Sequence, residues 1–338
     1  MTGHTGFKGS WLSILLDRLG AQVSGIALPP STYPSLFEAA QVEKLISSNV
    51  LCDIRDKNNF IANVHSSNPE VVFHLAAQPI VRESYRNPLS TIETNVMGTA
   101  NLLEALRGCN TVKAVVVITT DKVYKNLEHY YPYREVDPLG GYDPYSASKA
   151  ASELIVDSFR DSFLRDQGVG VCTARAGNVI GGGDWSSDRL IPDAIKAWEN
   201  NSVLNIRSPQ STRPWQHVLD PLMGYIRLAE YLWNNPEGAG AYNFGPLSHE
   251  VASVKTVIEL GASLYGAAKV EFELNPTGPH EAARLALEIS KSRDVLGFSP
   301  RWSLQESIAR TINWYRAFLG GKNALELCLD DVSAYEGR

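Results

Sequence analysis

The sequence predicts an α/β protein with a doubly wound parallel sheet and a smaller, mixed lobe toward its C-terminal end. Three observations predict it. Over the first two-thirds of the chain, short runs rich in β-branched residues alternate with longer segments of helical spacing, a rhythm that builds a parallel sheet with helices on both faces. Two of the runs, "EVVFHLAA" and "VKAVVVITT", are almost continuously apolar, as strands buried on both faces are. Beyond Gly181 the rhythm gives way to short strands and helices in no regular order.

The first element is a loop and helix, "TGHTGFKGSWLSILLDRLG", with Gly3, Gly6 and Gly9 at three-residue spacing and a helix from about Ser10. Such glycines let the backbone turn tightly and approach a pyrophosphate, whose charge rests on the helix N-terminus. The sheet is therefore expected to be Rossmann-type, with Gly3, Thr5, Gly6, Phe7 and Gly9 against a dinucleotide. A strand should precede this loop, yet only Met1 and Thr2 do. In the common strand order that strand is central, and its loss costs more than the ~5–15 kcal/mol of net stability a domain has. The first strand is thus expected to be missing or truncated, with the natural start upstream.

"AQVSGIAL" is the next strand, followed by a Pro-rich loop and a helix over "PSLFEAAQVEKL". No Asp or Glu follows in "IALPPSTYP" to take an adenosine 2′-hydroxyl, so this position does not separate NAD from NADP. Lys8, with His4 beside it, could accept a 2′-phosphate. Asp53 in "CDIRD", next to Ile54, is a candidate for the adenine amine. "EVVFHLAA" ends at Leu75, Ala76 and Ala77, also on the cofactor side, and "TIETNVMGTANLLEALRG" is a helix closed by a C-terminal glycine.

The buried strand "VKAVVVITT" delivers Thr120, Asp121 and Lys122 to the carboxyl edge of the sheet, where ligands of such folds bind. In "GYDPYSASKAASEL", Asp143 is a good N-cap and Pro144 a good first helical residue. Tyr145 and Lys149 then share a helix face. An ammonium near a phenol lowers its pKa from about 10, which suits Tyr145 to accept a hydroxyl proton. "VGVCTARAGNVIG" is a further strand. "VLNIR", "GAYNFG" and the helix "SLQESIARTINWYRAFL" fall in the C-terminal part. The expected organisation is a dinucleotide-binding domain over 1–180, with later segments returning to it, a substrate lobe over 181–320, and an acidic, peripheral tail over 321–338.

Bulk properties narrow the partners. A net charge of −6 over 338 residues argues against nucleic acid, which is held by counterion release. No stretch approaches the ~20 apolar residues of a membrane helix, and no signal peptide is evident. Cys52, Cys109, Cys172 and Cys328 form no CxxC pair and read as reduced thiols of a cytoplasmic protein, without a metal.

Gly3-x-x-Gly6-x-x-Gly9, "FHLAAQP", "TNVMGT", "TTDKVY" and "YSASK" occur in the order found in the extended short-chain dehydrogenase/reductase family, and the resemblance covers essentially the whole chain. Within that family, sugar-nucleotide 4,6-dehydratases carry Thr-Asp-Glu where 4-epimerases have small residues. Here the triplet is Thr120-Asp121-Lys122. That lysine, "TGHTGFKGSWL", "GNVIGGGDWSSDRLIPD" and "RPWQHVLD" resemble the dehydratases that act on CDP-glucose.

The resemblance implies an NAD-dependent lyase that oxidises a hexose at C4, removes water across C5 and C6 and reduces C6. In it Tyr145, assisted by Lys149, takes the C4 hydroxyl proton and Thr120 bonds O4. Asp121, if burial keeps it protonated, is the acid for the departing hydroxide, and Lys122 is the C5 base or stabilises the enolate. Gln78, Asn178, Arg213 and His280 would contact the substrate. It also implies a homodimer or homotetramer built on the "NVMGTANLLEALRG" and "YSASKAASELIVDSF" helices, in deoxysugar synthesis for a surface polysaccharide such as the lipopolysaccharide O-antigen. The alternatives are another dehydratase or a 4-epimerase of the same fold, and a non-catalytic dinucleotide-binding protein.

Overall fold

The computed structural model describes residues 1–266, 268–273 and 282–337. The main sheet is parallel and contains β1 (Ser24–Ala27), β2 (Ser48–Leu51), β3 (Val71–His74), β4 (Ala114–Ile118), β5 (Gly170–Ala176) and β6 (Gly240–Phe244). β2 pairs with β1 on one side, and β3, β4, β5 and β6 follow one another on the other. The continuously apolar β4 is buried throughout, as is β5. Alternate residues of β4 feed two cores: Ala114, Val116 and Ile118 enter one, Val115 and Val117 the other. This is the two-sided burial that helices on both faces of a parallel sheet produce.

Between β1 and β3 lies the slot of the expected first strand, and Met1–Gly3 occupy it. Thr2 bridges Ile26 on one side and His74 on the other. Gly3 N–H donates to Ile26 O at 2.9 Å, Ile26 N–H to Met1 O at 2.9 Å, Thr2 N–H to Phe73 O at 2.9 Å and Leu75 N–H to Thr2 O at 3.2 Å. The strand is reduced to a single bridging residue, yet its neighbours remain joined at the carboxyl edge, where the glycine loop departs. The Met1 amino group donates to Ser24 O at 2.7 Å, and burial pushes its pKa down to about 6.

Three expected elements come out differently. The helix over "PSLFEAAQVEKL" divides into Leu36–Ala39 and a 3₁₀ turn, Val42–Leu45, because Gln41 adopts φ +50° and the turn brings Val42 into the core. "GAYNFG" does not stay in the C-terminal lobe: as β6 it extends the main sheet, pairing Gly240 with Cys172 and Phe244 with Ala176. The acidic tail is not peripheral. Residues Ala324–Glu336 form a helix with Ala324, Cys328, Val332 and Tyr335 buried, a helical spacing of apolar positions that its charge obscures. Tyr335 donates to Asp220 Oδ1 at 2.7 Å, and Arg18 pairs with Glu336 at 2.6 Å.

"VLNIR" becomes the strand Val203–Ile206, paired in parallel with Lys269–Phe272 in a small separate sheet. No helix among the described residues is long and apolar enough to cross a membrane.

Candidate active site

A single cleft of about 1430 Å³ runs along the carboxyl edge of the sheet, and both the glycine loop and the strand tip at Thr120 line it. Its cofactor end follows from backbone geometry. Gly3 adopts φ +75°, and a Cβ there would lie 2.6 Å from Ala76 N; one at Gly9 would lie 2.1 Å from Gly3 O. Only glycine allows so tight a loop at these two positions. Gly6 caps the Phe7–Arg18 helix with no side-chain hydrogen bond, and its first turn holds no acid. The first N–H groups and the positive helix end therefore stay available to an anion. Thr5 does not offer its hydroxyl, which holds the loop by donating to Leu28 O at 2.8 Å.

Phe7, Asp53, Ile54, Leu75, Ala76 and Ala77 line the same end, so the residues expected against a dinucleotide are brought together, and the cradle fits a pyrophosphate. Asp53 is already engaged: Arg55 Nη2 donates to it at 2.6 Å and Nε at 3.0 Å, and these bonds hold its carboxyl below the usual range. Of His4 and Lys8, which could accept a 2′-phosphate, Lys8 lines the cleft. His4 is buried beneath the loop, its Nε2 bonded to Asn49 Oδ1 at 2.8 Å. Lys8 interacts with the charges of Arg189, Lys149, Asp121 and Lys122, and burial, aided by the cations, pushes it down to about 7.

At the other end, Asp143 accepts from Ser146 N–H at 2.9 Å with Pro144 in the first turn. This starts the Pro144–Phe159 helix where Tyr145 and Lys149 face the cleft. The Thr120 side chain acts on the Tyr145 hydroxyl. Lys149 Nζ donates to Ile118 O at 3.1 Å. The two groups meet at the tip of β4, but the expected lowering of the phenol by Lys149 does not follow. Burial pushes Tyr145 up to about 12, against the effect of Thr120. Burial also takes Lys149 down to about 8, with the Glu153 carboxylate opposing. Desolvation is the largest effect on each group, and the lysine amine donates to a carbonyl.

Asp121 has 1% of its side chain exposed and Lys122 30%. Asp121 Oδ1 accepts from Thr120 Oγ1 at 2.9 Å and from Lys122 Nζ at 3.4 Å, whereas Oδ2 has no partner. Thr120 also caps the turn, accepting from Lys122 N–H at 3.4 Å. One hydroxyl, one carboxyl oxygen and one amine are thus presented together beside a phenol.

Of the residues expected at the substrate, Asn178 lines the cleft with a buried, unpartnered Oδ1, a ready acceptor. Arg213 lines it too, with Nη1 donating to Thr212 O at 2.8 Å. Gln78 lines it but spends both ends of its amide on scaffolding, donating to Thr91 Oγ1 at 2.9 Å and accepting from Ile80 N–H at 2.6 Å. His280 lies outside the described residues.

Two residues of the site escaped sequence reasoning. Arg189 lines the cleft, pairs with Asp184 at 2.7 Å and acts electrostatically on Tyr145; its signal was a cation directly ahead of the helix "LIPDAIKAWE". Asn95 donates to Ser148 Oγ at 2.8 Å and accepts from Gln78 N–H at 2.8 Å, tying the catalytic helix to the β3 loop. Nothing in its local pattern separated it from a solvated helical amide.

The chain is similar to known proteins along most of its length. A family model described as GDP-mannose 4,6 dehydratase matches residues 1–311. CDP-glucose 4,6-dehydratase of Salmonella typhimurium is 46% identical over 99% of this chain and 95% of its own length. dTDP-glucose 4,6-dehydratase of Streptomyces antibioticus is 32% identical, over 94% of this chain and 91% of its own. Among solved structures, MoeE5 in complex with UDP-glucose and NAD superposes with a TM-score of 0.79 at 26% identity, covering 94% of this chain and 98% of that one.

Proposed function

The chain belongs to the GDP-mannose 4,6-dehydratase family of extended short-chain dehydrogenase/reductases, and from that premise we propose that it converts CDP-D-glucose to CDP-4-dehydro-6-deoxy-D-glucose and water. The observation that carries this reading is the tip of β4, where Thr120 and Lys122 line, with Tyr145, the cleft that the glycine loop also lines, and the buried Asp121 is bonded to both Thr120 and Lys122. The net conversion is an internal redox. C4 passes from alcohol to ketone, C6 from hydroxymethyl to methyl, and one water leaves.

Gly3–Gly9 and Leu75–Ala77 would hold NAD, which would supply the two-electron chemistry. Tyr145 accepts the C4 hydroxyl proton; Thr120 and the Arg189 charge favour the phenolate that burial and the Asp121 charge disfavour. Thr120 Oγ1 bonds the C4 oxygen and polarises the ketone. The ketone acidifies the C5 hydrogen; neutral Lys122 removes that proton, or its ammonium stabilises the enolate, and protonated Asp121 gives a proton to the departing C6 hydroxide, after which the two electrons taken from C4 would return to C6 and a proton to C5. Asn178 and Arg213 hold the diphosphate side of the substrate. The acid at 121 favours this reading over an epimerase, which loses no water.

The substrate is tested by incubating the purified protein with NAD and CDP-, GDP-, UDP- and dTDP-hexoses, and scoring 4-keto-6-deoxy product by NMR. CDP-glucose is expected to be consumed at least tenfold faster than the rest; equal use of all four would refute the nucleotide assignment.

We further infer a cytoplasmic homo-oligomer. Leu89, Ile92 and Met97, on the helical segments before Gly98, and Leu154, on the Pro144–Phe159 helix, are exposed large apolar residues on neighbouring helices, a combination that marks an interface. Met97→Glu combined with Leu154→Glu is expected to yield monomers by light scattering. An unchanged mass would remove this face from consideration.

A further inference from the structure

The strand tip carries a third tie to the catalytic helix that the proposed reaction does not use. Ile118 O receives Lys149 Nζ, and the Thr120 side chain acts on the Tyr145 hydroxyl. Between them, Thr119 Oγ1 donates to Glu153 Oε1 at 2.6 Å. Three successive residues of the tip are therefore joined to positions 145, 149 and 153, which are four apart on one helix face. Glu153 is fixed in turn: Thr173 Oγ1 donates to its Oε2 at 2.7 Å, Arg175 Nε to Oε1 at 3.0 Å and Arg175 Nη2 to Oε2 at 2.8 Å. Glu153 and Arg175 have 1% and 4% of their side chains exposed. Arg175 is itself held by Tyr124 OH at 3.0 Å and by Glu135 O at 3.1 Å.

We propose that Glu153 is a positioning residue for the reaction: its carboxylate, locked by Arg175 and Thr173, holds Thr119 and so sets the Thr120 hydroxyl, the Tyr145 phenol and the Lys149 amine in working register. Breaking a buried pair by removing one partner costs about 3–5 kcal/mol, whereas replacing both by neutral groups is often tolerated. A structural role alone predicts lost stability and nothing more. A positioning role predicts two further effects. The carboxylate sits one helical turn from Lys149 and opposes the desolvation that lowers its pKa to about 8. Removing the charge should let the ammonium lose its proton at lower pH. The Thr119 link should matter to rate while leaving that charge in place.

The inference rests on the dehydratase reading for its turnover arm only, so two readouts are used. The first is the alkaline limb of kcat/KM with the nucleotide sugar the native protein turns over. The second is competitive acylation of Lys149, which lines the cleft, followed by mass spectrometry across pH in the whole protein without substrate. Glu153→Gln, and Glu153→Gln with Arg175→Met should the single variant misfold, are expected to move both midpoints to lower pH by about one unit. Thr119→Val should lower kcat several-fold with both midpoints unmoved, and Thr119→Ser should restore it. If the Glu153 variants lose rate while neither midpoint moves, the carboxylate is a structural strut and the proposal fails. A shifted labelling midpoint in a protein that turns over no nucleotide sugar would uphold the proposal and sink the dehydratase reading instead.

Discussion

Tyr145→Phe is expected to abolish turnover, with kcat falling by at least the ~10²–10⁴-fold that positioned proton transfer contributes. The phenol is buried, and the Thr120 side chain acts on it at the edge of the cleft. Lys149 Nζ already donates to Ile118 O, and in the proposed reaction Asp121 and Lys122 serve the later elimination. The substitution removes one oxygen and leaves the ring to fill its space, so the fold and nucleotide affinity should survive. Stopped assays on CDP-glucose, with NAD binding followed separately by calorimetry, check this. Near-normal product formation would show that another group removes the C4 proton.

Asp121→Asn should have an effect of similar size but at a different step. The amide is nearly isosteric and can still accept from Thr120 and Lys122 through Oδ1. What it lacks is a proton to give to hydroxide, which is a poor leaving group without one. Oxidation at C4 depends on Tyr145 and Thr120 and should continue. Rapid quenching of a single turnover is therefore expected to trap a 4-keto hexose that keeps its C6 hydroxyl, while overall turnover drops about 10²–10⁴-fold. Formation of 4-keto-6-deoxy sugar at the native rate would remove Asp121 from the mechanism.

Both variants test residues named from sequence, and the reasons they were legible are physical. A buried parallel strand must end at the ligand-binding edge, so the polar residues that follow "VKAVVV" had to fall at that edge. Asp143 and Pro144 fixed where the next helix begins, and four residues of spacing put Tyr145 and Lys149 on one face. The glycine loop was legible because close backbone approach at Gly3 and Gly9 excludes any side chain. By contrast, the spacing that paired Tyr145 with Lys149 said nothing of where the lysine amine would spend its hydrogen bond or of how far burial would raise the phenol.

Local pattern by itself thus determined the order of strands and helices, the tight glycine loop and the placing of residues 120–122, 145 and 149 at one edge of the sheet, since each follows from side-chain period, backbone sterics or capping within a few residues; the roles proposed for them rest on the family resemblance. Only the tertiary structure decided the rest. It let Met1–Gly3 serve as the central strand's remnant, because four backbone bonds to β1 and β3 form only once those strands are side by side. It sent "GAYNFG" back to the main sheet and buried the acidic tail. It assembled Arg189, Asn95 and the Glu153–Arg175 pair around the reacting groups from segments far apart in the chain. Hydrogen-bond partners and desolvation depend on neighbours that sequence distance does not encode, and in this cleft they move Tyr145 and Lys149 away from their ordinary pKa values.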